Sequence, residues 1–259
     1  MPDFINIAER AAREAGEILL SNRGKITPDL VDEKARNDFV TKIDHESERI
    51  IVDTILSHFP SHMILAEEGT SRVSENEYRW IIDPLDGTKN FIQDVPVFSI
   101  SIALEKNGDI LLGIVYDPVH DEMFAAEKGE GAYCNNESMT VSQNKFSQSL
   151  IATGFPFRSK SFLPQYLLCF EDIFLKCSGM RRLGSAAIDL CYTAMGRFEG
   201  FWELGLSIWD IAAGSLLIRE AGGVVSDFWG EENFLESGFI IAGNADTHRG
   251  LLDVIKKHF

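Results

Sequence analysis

The chain carries an apolar strand that runs directly into a charged turn, Trp80-Ile81-Ile82-Asp83-Pro84-Leu85-Asp86-Gly87-Thr88. The apolar residues predict the strand, and the turn brings two carboxylates, the main-chain carbonyl of Leu85 and a hydroxyl into one small volume. Like charges this close repel each other unless a cation lies between them. The stretch therefore predicts a site for a hard metal ion with oxygen ligands.

An ordinary turn accounts for the same residues, because proline presets φ and Asp-Gly tolerates a positive φ. The hexapeptide alone does not separate the two interpretations. Two other apolar runs also end in acids: Ile64-Leu65-Ala66-Glu67-Glu68-Gly69, and Ile208-Trp209-Asp210 at the start of a helix. Asp210 by itself is most simply an N-cap. Three acidic ends of apolar segments favour a converging carboxylate cluster.

Longer motifs surround these acids. They are Glu67-Glu68, Asp83-Pro84-Leu85-Asp86-Gly87-Thr88-Lys89-Asn90-Phe91, and Trp209-Asp210-Ile211-Ala212-Ala213-Gly214 followed by Glu220-Ala221-Gly222-Gly223. Together they resemble the inositol monophosphatase family of magnesium-dependent, lithium-sensitive phosphatases, from the first helix to about Asn244. The resemblance implies an α+β fold, a layered α-β-α-β-α sandwich of the inositol monophosphatase/sugar phosphatase type, and a homodimer.

Charge and length restrict the classes of partner. The 259 residues include 40 acidic and 24 basic side chains, for a net charge of −16. This balance argues against nucleic acid as the main partner and for metal ions, although most of the charge is assigned to a solvated surface. No run approaches the ~18 apolar residues of a membrane helix. Charges interrupt every apolar stretch near Met1, with no small-residue cleavage site, so we expect a cytoplasmic protein without a membrane partner.

The first part of the chain mixes helices and strands. Helices are predicted over Phe4–Leu20 and Asp44–His58, with a polar, mobile loop at Lys34–Asp38 between them. An antiparallel meander follows. Its strands are Trp80–Ile82, Val97–Glu105, Ile110–Tyr116 and Glu122–Ala126, with Asn107-Gly108 as a hairpin turn.

After about Val141 strands and helices alternate. The predicted strands are Leu150–Gly154, Gly179–Leu183, Phe198–Glu203, Val224–Ser226 and Phe239–Ala242, and the helices are Phe162–Lys176, Ser185–Gly196, Trp209–Ala221 and a last helix. We expect an N-terminal α+β half, residues 1–140, with most metal ligands. A C-terminal α/β half, residues 141–259, contributes Asp210 and substrate residues to one compact unit.

The resemblance implies the ligands of two metal ions. It places Glu67, Asp83 and the Leu85 carbonyl on the first, and Asp83, Asp86 and Asp210 on the second; a third, weaker ion depends on Glu67. Oxygen ligands select Mg²⁺, or Mn²⁺, over zinc, and by resemblance Li⁺ inhibits. The four cysteines and six histidines show no zinc-ligand spacing, so we expect reduced, mostly buried thiols.

Residues beside the metal turn complete the catalytic set. The resemblance pairs Thr88 with Asp44 to orient and help deprotonate the attacking water, beside Glu67. For Asp44 the structural alternative is again an N-cap, which the sequence alone favours. Gly87 and Thr88 begin a helical turn whose N–H groups can bind a phosphate.

Substrate residues lie in the second half. The resemblance places Glu203 on ring hydroxyls and Gly184-Ser185-Ala186 against the ring, while a helix cap is the structural alternative for Ser185. Lys89 stands where many inositol-type members have threonine, and that lysine occurs in relatives that hydrolyse 3′-phosphonucleotides. Asn90-Phe91 and Glu203 favour inositol. The loop around Lys34 is one residue shorter than in some relatives.

The sequence therefore predicts a magnesium-dependent phosphomonoesterase for a small phosphate ester, myo-inositol 1-phosphate or a related polyol phosphate. Fructose-1,6-bisphosphatase and 3′-phosphoadenosine 5′-phosphate phosphatase are alternatives within the enzyme class. A metal-loaded regulatory binding protein is the alternative from another class. The complete set of Glu67, Asp83, Asp86, Thr88 and Asp210 argues against that last alternative.

Overall fold

The computed structural model describes residues 3–27, 30–35 and 38–259, of which 33–35 and 38–39 are described by backbone alone. Its helices are α1 (Phe4–Asn22), α2 (Lys42–His58), α3 (Thr88–Ile92), α4 (Leu163–Phe174), α5 (Ala186–Ala194), α6 (Ile208–Glu220), α7 (Phe234–Ser237) and α8 (Ala245–Ile255). Its strands are β1 (Val31–Ala35), β2 (Asp38–Thr41), β3 (Met63–Ala66), β4 (Ser71–Arg72), β5 (Tyr78–Asp86), β6 (Ser99–Lys106), β7 (Asp109–Asp117), β8 (Glu122–Glu127), β9 (Gly131–Cys134), β10 (Glu137–Met139), β11 (Leu150–Thr153), β12 (Gly179–Arg181), β13 (Gly200–Leu204), β14 (Val224–Ser226) and β15 (Phe239–Gly243).

The larger sheet has eight strands in the order β10-β9-β8-β7-β6-β5-β3-β4. Only the β3–β5 pair is parallel among them, so the predicted meander over β5 to β8 is confirmed. Asn107 and Gly108 link β6 to β7 with φ values of 52° and 90°. Both positive values match a tight two-residue hairpin, which is why Asn-Gly at this point predicts the turn correctly.

The smaller sheet has five strands in the order β12-β11-β13-β15-β14. Strands β12, β11 and β13 are parallel, and β15 runs antiparallel to both of its neighbours. Helices α4, α5 and α6 fall between these strands in sequence. The predicted change to alternating strands and helices after Val141 is therefore confirmed. The division into two halves at this point stays a prediction.

Side-chain alternation along the strands builds the layers. Trp80 and Ile82 pack with buried residues of α1 and α2, whereas Ile81 between them packs with α5 and α6 on the opposite face. Phe201 likewise joins the α5 and α6 layer, while Trp202 packs with α4 and α8. Successive side chains of a strand point to opposite faces, so both sheets are covered on each side. The predicted α-β-α-β-α sandwich is confirmed.

One prediction near the N-terminus is wrong. Residues 34–38 were expected to form a polar loop, yet β1 and β2 pair antiparallel, with Val31 opposite Thr41 and Asp32 opposite Val40. Arg36 and Asn37 of that range lie outside the described residues. The hairpin depends on pairing between two segments, which the polarity of either segment alone does not indicate.

No helix in the described part of the chain is both long and apolar enough to span a membrane.

Candidate active site

The predicted metal turn is an irregular strand end. β5 continues through Asp86, and its register against β6 shifts between Asp83, opposite Ser101, and Asp86, opposite Ser99. Three steps on β5 therefore match two on β6, as in a β-bulge, and Pro84 within the irregular part has no N–H to donate. Gly87 follows with φ 95°, and a Cβ there would lie 3.0 Å from the Val97 carbonyl. This bulge and left-handed glycine turn the chain into α3.

Three carboxylates converge beside this turn. Asp83, Asp86 and Asp210 each offer an oxygen within 4.8 Å of the others. Asp83 is 1% exposed and Asp210 is 5% exposed. Ser185 Oγ and the Ala187 N–H donate to Asp86 at 2.6 and 2.8 Å, and the Ser207 N–H donates to Asp210 at 2.7 Å. These bonds fix carboxylates from both parts of the chain in one place.

The electrostatics of this cluster favour a bound cation. Burial, followed by the charges of Glu67, Asp86 and Asp210, raises the pKa of Asp83 well above its usual value. Burial and the charge of Asp210 raise the pKa of Asp86 to about 7. A divalent ion would offset both effects by stabilising the ionised carboxylates. A donor set of carboxylates and a carbonyl fits a hard ion such as magnesium.

Glu67 lies beside the three aspartates but outside the 4.8 Å set. It follows β3 in a turn that is held by Glu48, whose carboxylate accepts from Glu68 N at 2.7 Å and from Thr70 N at 3.0 Å. The side chain of Glu67 makes a hydrogen bond with that of Asp83. Glu67 faces the same cavity, where Arg158 Nη2 lies 3.6 Å from its Oε1.

Thr88 lies between the metal turn and α2. Its Oγ is 3.1 Å from the Leu85 carbonyl and 3.2 Å from Asp44 Oδ1. Asp44 is 1% exposed, and burial raises its pKa to about 6. The carboxylate of Asp44 also accepts from Thr41 N at 2.9 Å and from Thr41 Oγ at 2.5 Å. The structure thus brings the two members of the predicted pair into contact.

Asp44 and Asp210 are not the N-cap residues of their helices, although both bond at the helix start. The N-caps of α2 and α6 are Thr41 and Ser207, and each aspartate is the third helical residue after its cap. Each accepts a hydrogen bond from the main-chain N–H of the cap residue. An acid at this position satisfies an N–H at the helix start, which explains why the sequence pattern resembles a cap.

One cavity collects the other predicted residues. All except Asp44 line it: Glu67, Asp83, Leu85, Asp86, Gly87, Thr88, Gly184, Ser185, Ala186, Glu203 and Asp210. Ser185 is the N-cap of α5, accepting from Ile188 N at 3.3 Å, so its helix-cap interpretation is confirmed. Through the same hydroxyl it also donates to Asp86.

Glu203 projects from β13 into this cavity against Gly154. A Cβ at position 154 would lie 1.9 Å from Glu203 Oε1, so only glycine leaves room for the carboxyl group. Burial raises the pKa of Glu203 to about 8, even though the charge of Arg182 acts to lower it. The carboxyl is therefore held in an enclosed, polar part of the cavity.

Arg158, Arg182 and Asp189 line the cavity but are absent from the predicted site residues, and Lys89, which bears on substrate choice in the sequence, lines it as well. Arg158 Nη1 lies 3.6 Å from Asp210 Oδ2, and Lys89 Nζ and the Arg182 guanidinium lie 4.8 and 5.7 Å from the centre of the Phe157 ring. Asp189 is 1% exposed, and its Oδ1 has no hydrogen-bond partner among the described residues. Only the position of Arg158, in the turn after the predicted strand Leu150–Gly154, could have suggested it, since turns at strand ends of one sheet edge meet in such clefts; the residue type adds nothing to that signal.

The chain matches a known family. A model of the inositol monophosphatase family matches residues 1–258. This chain belongs to the inositol monophosphatase family. Family membership implies the use of a divalent metal, and the buried cluster of Asp83, Asp86 and Asp210 supplies the acidic ligands for one.

Relatives span the whole chain. Nus factor SuhB of Escherichia coli strain K12 is 44% identical over 256 residues, which cover 97% of this chain and 95% of that protein. The extragenic suppressor protein suhB of Bartonella henselae is 39% identical, with a TM-score of 0.95 over 98% of both chains. An IMPase of Thermotoga maritima is 36% identical, with a TM-score of 0.87, covering 96% of this chain and 94% of that one.

Proposed function

We propose that this chain is a Mg²⁺-dependent phosphomonoesterase that hydrolyses myo-inositol 1-phosphate and related polyol or sugar phosphates by attack of water. The observation that carries the proposal is the convergence of Asp83, Asp86 and Asp210 within 4.8 Å, in the cavity that Thr88 lines. A cluster of acids alone is common. A cluster beside a contact between the partly buried Thr88 hydroxyl and the buried Asp44 carboxylate supports hydrolysis.

The proposed metal ligands follow from the donor atoms. Glu67, Asp83 and the Leu85 carbonyl would hold one ion, Asp83, Asp86 and Asp210 a second, and Glu67 a third and weaker one. Mg²⁺ in such a site supplies charge stabilisation for phosphoryl oxygens and a lowered pKa for water. Manganese fits the same oxygen ligands, and inhibition by lithium is part of the proposal.

Thr88 and Asp44 would position the attacking water. Thr88 has one hydroxyl hydrogen, which it donates to Asp44 or to the Leu85 carbonyl. Its oxygen lone pairs therefore remain able to accept a hydrogen bond from water in the cavity. Asp44, fixed by two hydrogen bonds from Thr41, restrains the direction of the Thr88 hydroxyl. Such a pair orients water and accepts part of its proton during attack.

The substrate would extend from the metal cluster towards Glu203. The N–H groups of Gly87 and Thr88 at the start of α3 are proposed to bind the phosphate. Glu203 and the Gly184-Ser185-Ala186 segment would contact the ring and its hydroxyls, since all four line the cavity that also holds the cluster. An IMPase among the similar structures supports inositol phosphate as the substrate.

A panel of substrates tests this proposal. Purified protein with Mg²⁺ should release phosphate from myo-inositol 1-phosphate faster, by kcat/KM, than from fructose 1,6-bisphosphate or 3′-phosphoadenosine 5′-phosphate. EDTA should stop the reaction. Preference for either of the other two substrates would establish the corresponding alternative, and Lys89 in the cavity is the residue that supports 3′-phosphoadenosine 5′-phosphate. No release from any of the three would contradict the phosphatase assignment.

A regulatory binding protein is the candidate from a different class. It is favoured by one observation, the name Nus factor that the Escherichia coli relative carries at 44% identity. The intact metal cluster and the Thr88–Asp44 contact support turnover instead. Metal binding without measurable phosphate release from the panel would favour the binding role.

We further propose a homodimer, which rests on the family and on exposed apolar residues of α4. Leu163, Leu167, Leu168 and Phe174 of this helix are each 44% to 59% exposed. An apolar helix surface of this kind is typical of an interface. Light scattering after gel filtration should give twice the chain mass of 29.0 kDa. A monomer at micromolar concentration would contradict the proposal. A cytoplasmic location stays a prediction from the sequence.

A further inference from the structure

The cluster of acids contains a cation that belongs to the chain itself. Arg158 Nη1 lies 3.6 Å from Asp210 Oδ2, and Arg158 Nη2 lies 3.6 Å from Glu67 Oε1. Burial raises the pKa of Asp86 and that of Glu203, and the charge of Arg158 opposes both rises. The Arg158 guanidinium therefore interacts electrostatically both with the cluster of Asp83, Asp86 and Asp210 and with Glu67 beside it.

The two ion pairs of Arg158 with Glu67 and Asp210 are longer than hydrogen bonds. Charge-assisted N–H···O bonds are about 2.7–2.9 Å long, so the two distances of 3.6 Å are ion pairs without a direct hydrogen bond. The Arg158 side chain is 43% exposed. Arg197, in contrast, bonds both of its terminal nitrogens to the two oxygens of Glu122. Arg158 spans two carboxylates, while Arg197 is fixed on one.

The segment that carries Arg158 is held from outside the cluster. A Cβ at Gly205 would lie 2.5 Å from Ser159 Oγ, so the chain next to Arg158 packs directly on that glycine. On the other side, the Lys89 ammonium lies over the Phe157 ring. These contacts keep the base of Arg158 beside the acids without depending on its head group. The guanidinium can then leave the cluster while the segment stays in place.

We infer that Arg158 is a displaceable counter-cation, which balances the acidic cluster when metal is scarce and competes with the weakest-bound divalent ion for Glu67 and Asp210. The inference rests on the proposed metal site and adds a residue that sets its affinity. A divalent ion and a guanidinium near the same two carboxylates repel each other, so occupancy by one opposes occupancy by the other. The concentration of Mg²⁺ needed to fill the site therefore depends on Arg158.

Metal binding to four proteins tests this inference without relying on turnover. Wild type, Arg158→Gln, Arg158→Lys and Arg181→Gln are stripped with EDTA, and Mn²⁺ binding is followed by the electron paramagnetic resonance of the free ion, with Mg²⁺ binding followed by calorimetry. Arg158→Gln should bind its weakest ion about threefold to tenfold more tightly than wild type, because a repelling charge is removed. Arg158→Lys keeps the charge and should bind more weakly than the Gln variant.

Arg181→Gln is the matched control. Arg181 is exposed, lies outside the cavity lining and donates to the Met180 carbonyl, so its replacement makes the same change in net charge away from the cluster. Its metal affinity should equal that of wild type. An equal gain in metal affinity in both Gln variants would mean that only the net charge of the protein matters, and it would overturn the inference.

Thermal unfolding separates this role from a purely structural one. In EDTA, Arg158→Gln should unfold at a lower temperature than wild type because the acids lose a counter-charge, and Mg²⁺ should close most of the gap. Unchanged or weaker metal binding by Arg158→Gln would overturn the inference while leaving the phosphatase proposal intact. Failure of wild type to bind Mn²⁺ or Mg²⁺ at all would overturn both.

Discussion

The first turns of α2 and α6 have the same local construction and different surroundings. In each, an aspartate is the third helical residue and accepts the N–H of the cap residue, Asp44 from Thr41 at 2.9 Å and Asp210 from Ser207 at 2.7 Å. Both side chains are buried, at 1% and 5% exposure. Asp44 faces the Thr88 hydroxyl, whereas Asp210 faces Asp83 and Asp86.

The difference shows that the helix start fixes an aspartate but does not assign its chemistry. A hydroxyl opposite Asp44 supports a role in proton transfer. Two further carboxylates opposite Asp210 support metal binding instead. Replacements at the two helix starts should therefore have separable effects on turnover, metal affinity and stability.

The largest loss of turnover is expected when an aspartate of the proposed metal cluster is replaced. Asp210→Asn or Asp83→Asn should reduce phosphate release to background at ordinary Mg²⁺, because the cluster loses a charged ligand. The asparagine oxygen at position 210 can still accept the Ser207 N–H. Removing a negative charge from a repulsive cluster should leave cooperative unfolding intact in EDTA. Near-wild-type turnover in either variant would contradict the assignment of the ligands.

The next largest loss of turnover is expected at Thr88, the proposed partner of Asp44 in proton transfer. Thr88→Ala should lower kcat by on the order of 10²-fold, the usual scale for positioned proton transfer, with a smaller change in Mg²⁺ affinity. Thr88→Ser is the matched control, since it keeps the hydroxyl that contacts Asp44 Oδ1 at 3.2 Å. If kcat were kept and only Mg²⁺ affinity fell, Thr88 would support a ligand and the pair with Asp44 would not act on water.

The sequence predicts features that are encoded over short stretches. The helical period of α1, the Asn107-Gly108 hairpin and the acidic end of β5 each depend on residues close together in the chain. The layered fold was implied by the family resemblance, and the structure forms it from strands whose side chains alternate between two apolar faces. Convergence of Asp83, Asp86 and Asp210 could be anticipated since each acid ends or begins an apolar element.

Features that depend on distant pairs could not be predicted in the same way. The β1–β2 hairpin needs backbone pairing between two short segments. Arg158 forms an ion pair with Glu67, which lies 91 positions earlier in the sequence (158 − 67 = 91). An arginine after a strand is also common on surfaces, so its type carried no signal. The exact capping position of Asp44 and Asp210 depends on backbone angles that the residue types leave open.

A smaller effect, on the choice of substrate, is expected from replacing Glu203 in the cavity. Glu203→Gln should weaken kcat/KM for inositol phosphate by roughly 1–3 kcal/mol, the cost of losing a charged hydrogen bond. It should hardly affect p-nitrophenyl phosphate, which offers no hydroxyl there. Burial raises the pKa of Glu203 to about 8, above the ordinary 4.5, so the ionised form appears as the pH rises through that value.

The loss in Glu203→Gln should therefore grow between pH 7 and pH 9, because glutamine resembles the protonated carboxyl that prevails at lower pH. Metal ions in the cluster would move this transition to lower pH by favouring the carboxylate. Equal losses on the two substrates at both pH values would mean that Glu203 supports the α6 region instead of binding hydroxyls. The inositol proposal would then be replaced by an unspecified sugar or nucleotide phosphatase.

The smallest effect is expected at the cap of α2, where structure and proposed catalysis share one hydroxyl. Thr41 Oγ accepts from Ile43 N at 3.1 Å and donates to Asp44 Oδ2 at 2.5 Å. Thr41→Val keeps the volume and removes these two bonds and a third, from Asp44 N to Thr41 Oγ at 3.4 Å. The loss should cost about 0.5–2 kcal/mol of unfolding free energy, as for other lost caps. Its kcat should fall less than tenfold, roughly 1.4 kcal/mol in the barrier, because the Thr41 N–H still holds Asp44.

Thr41→Ser keeps the hydroxyl and loses a buried methyl group, so it should lower stability with little change in kcat. Denaturant unfolding and steady-state kinetics of the pair decide the point: equal falls in kcat would mean that the cap stabilises α2 without orienting Asp44.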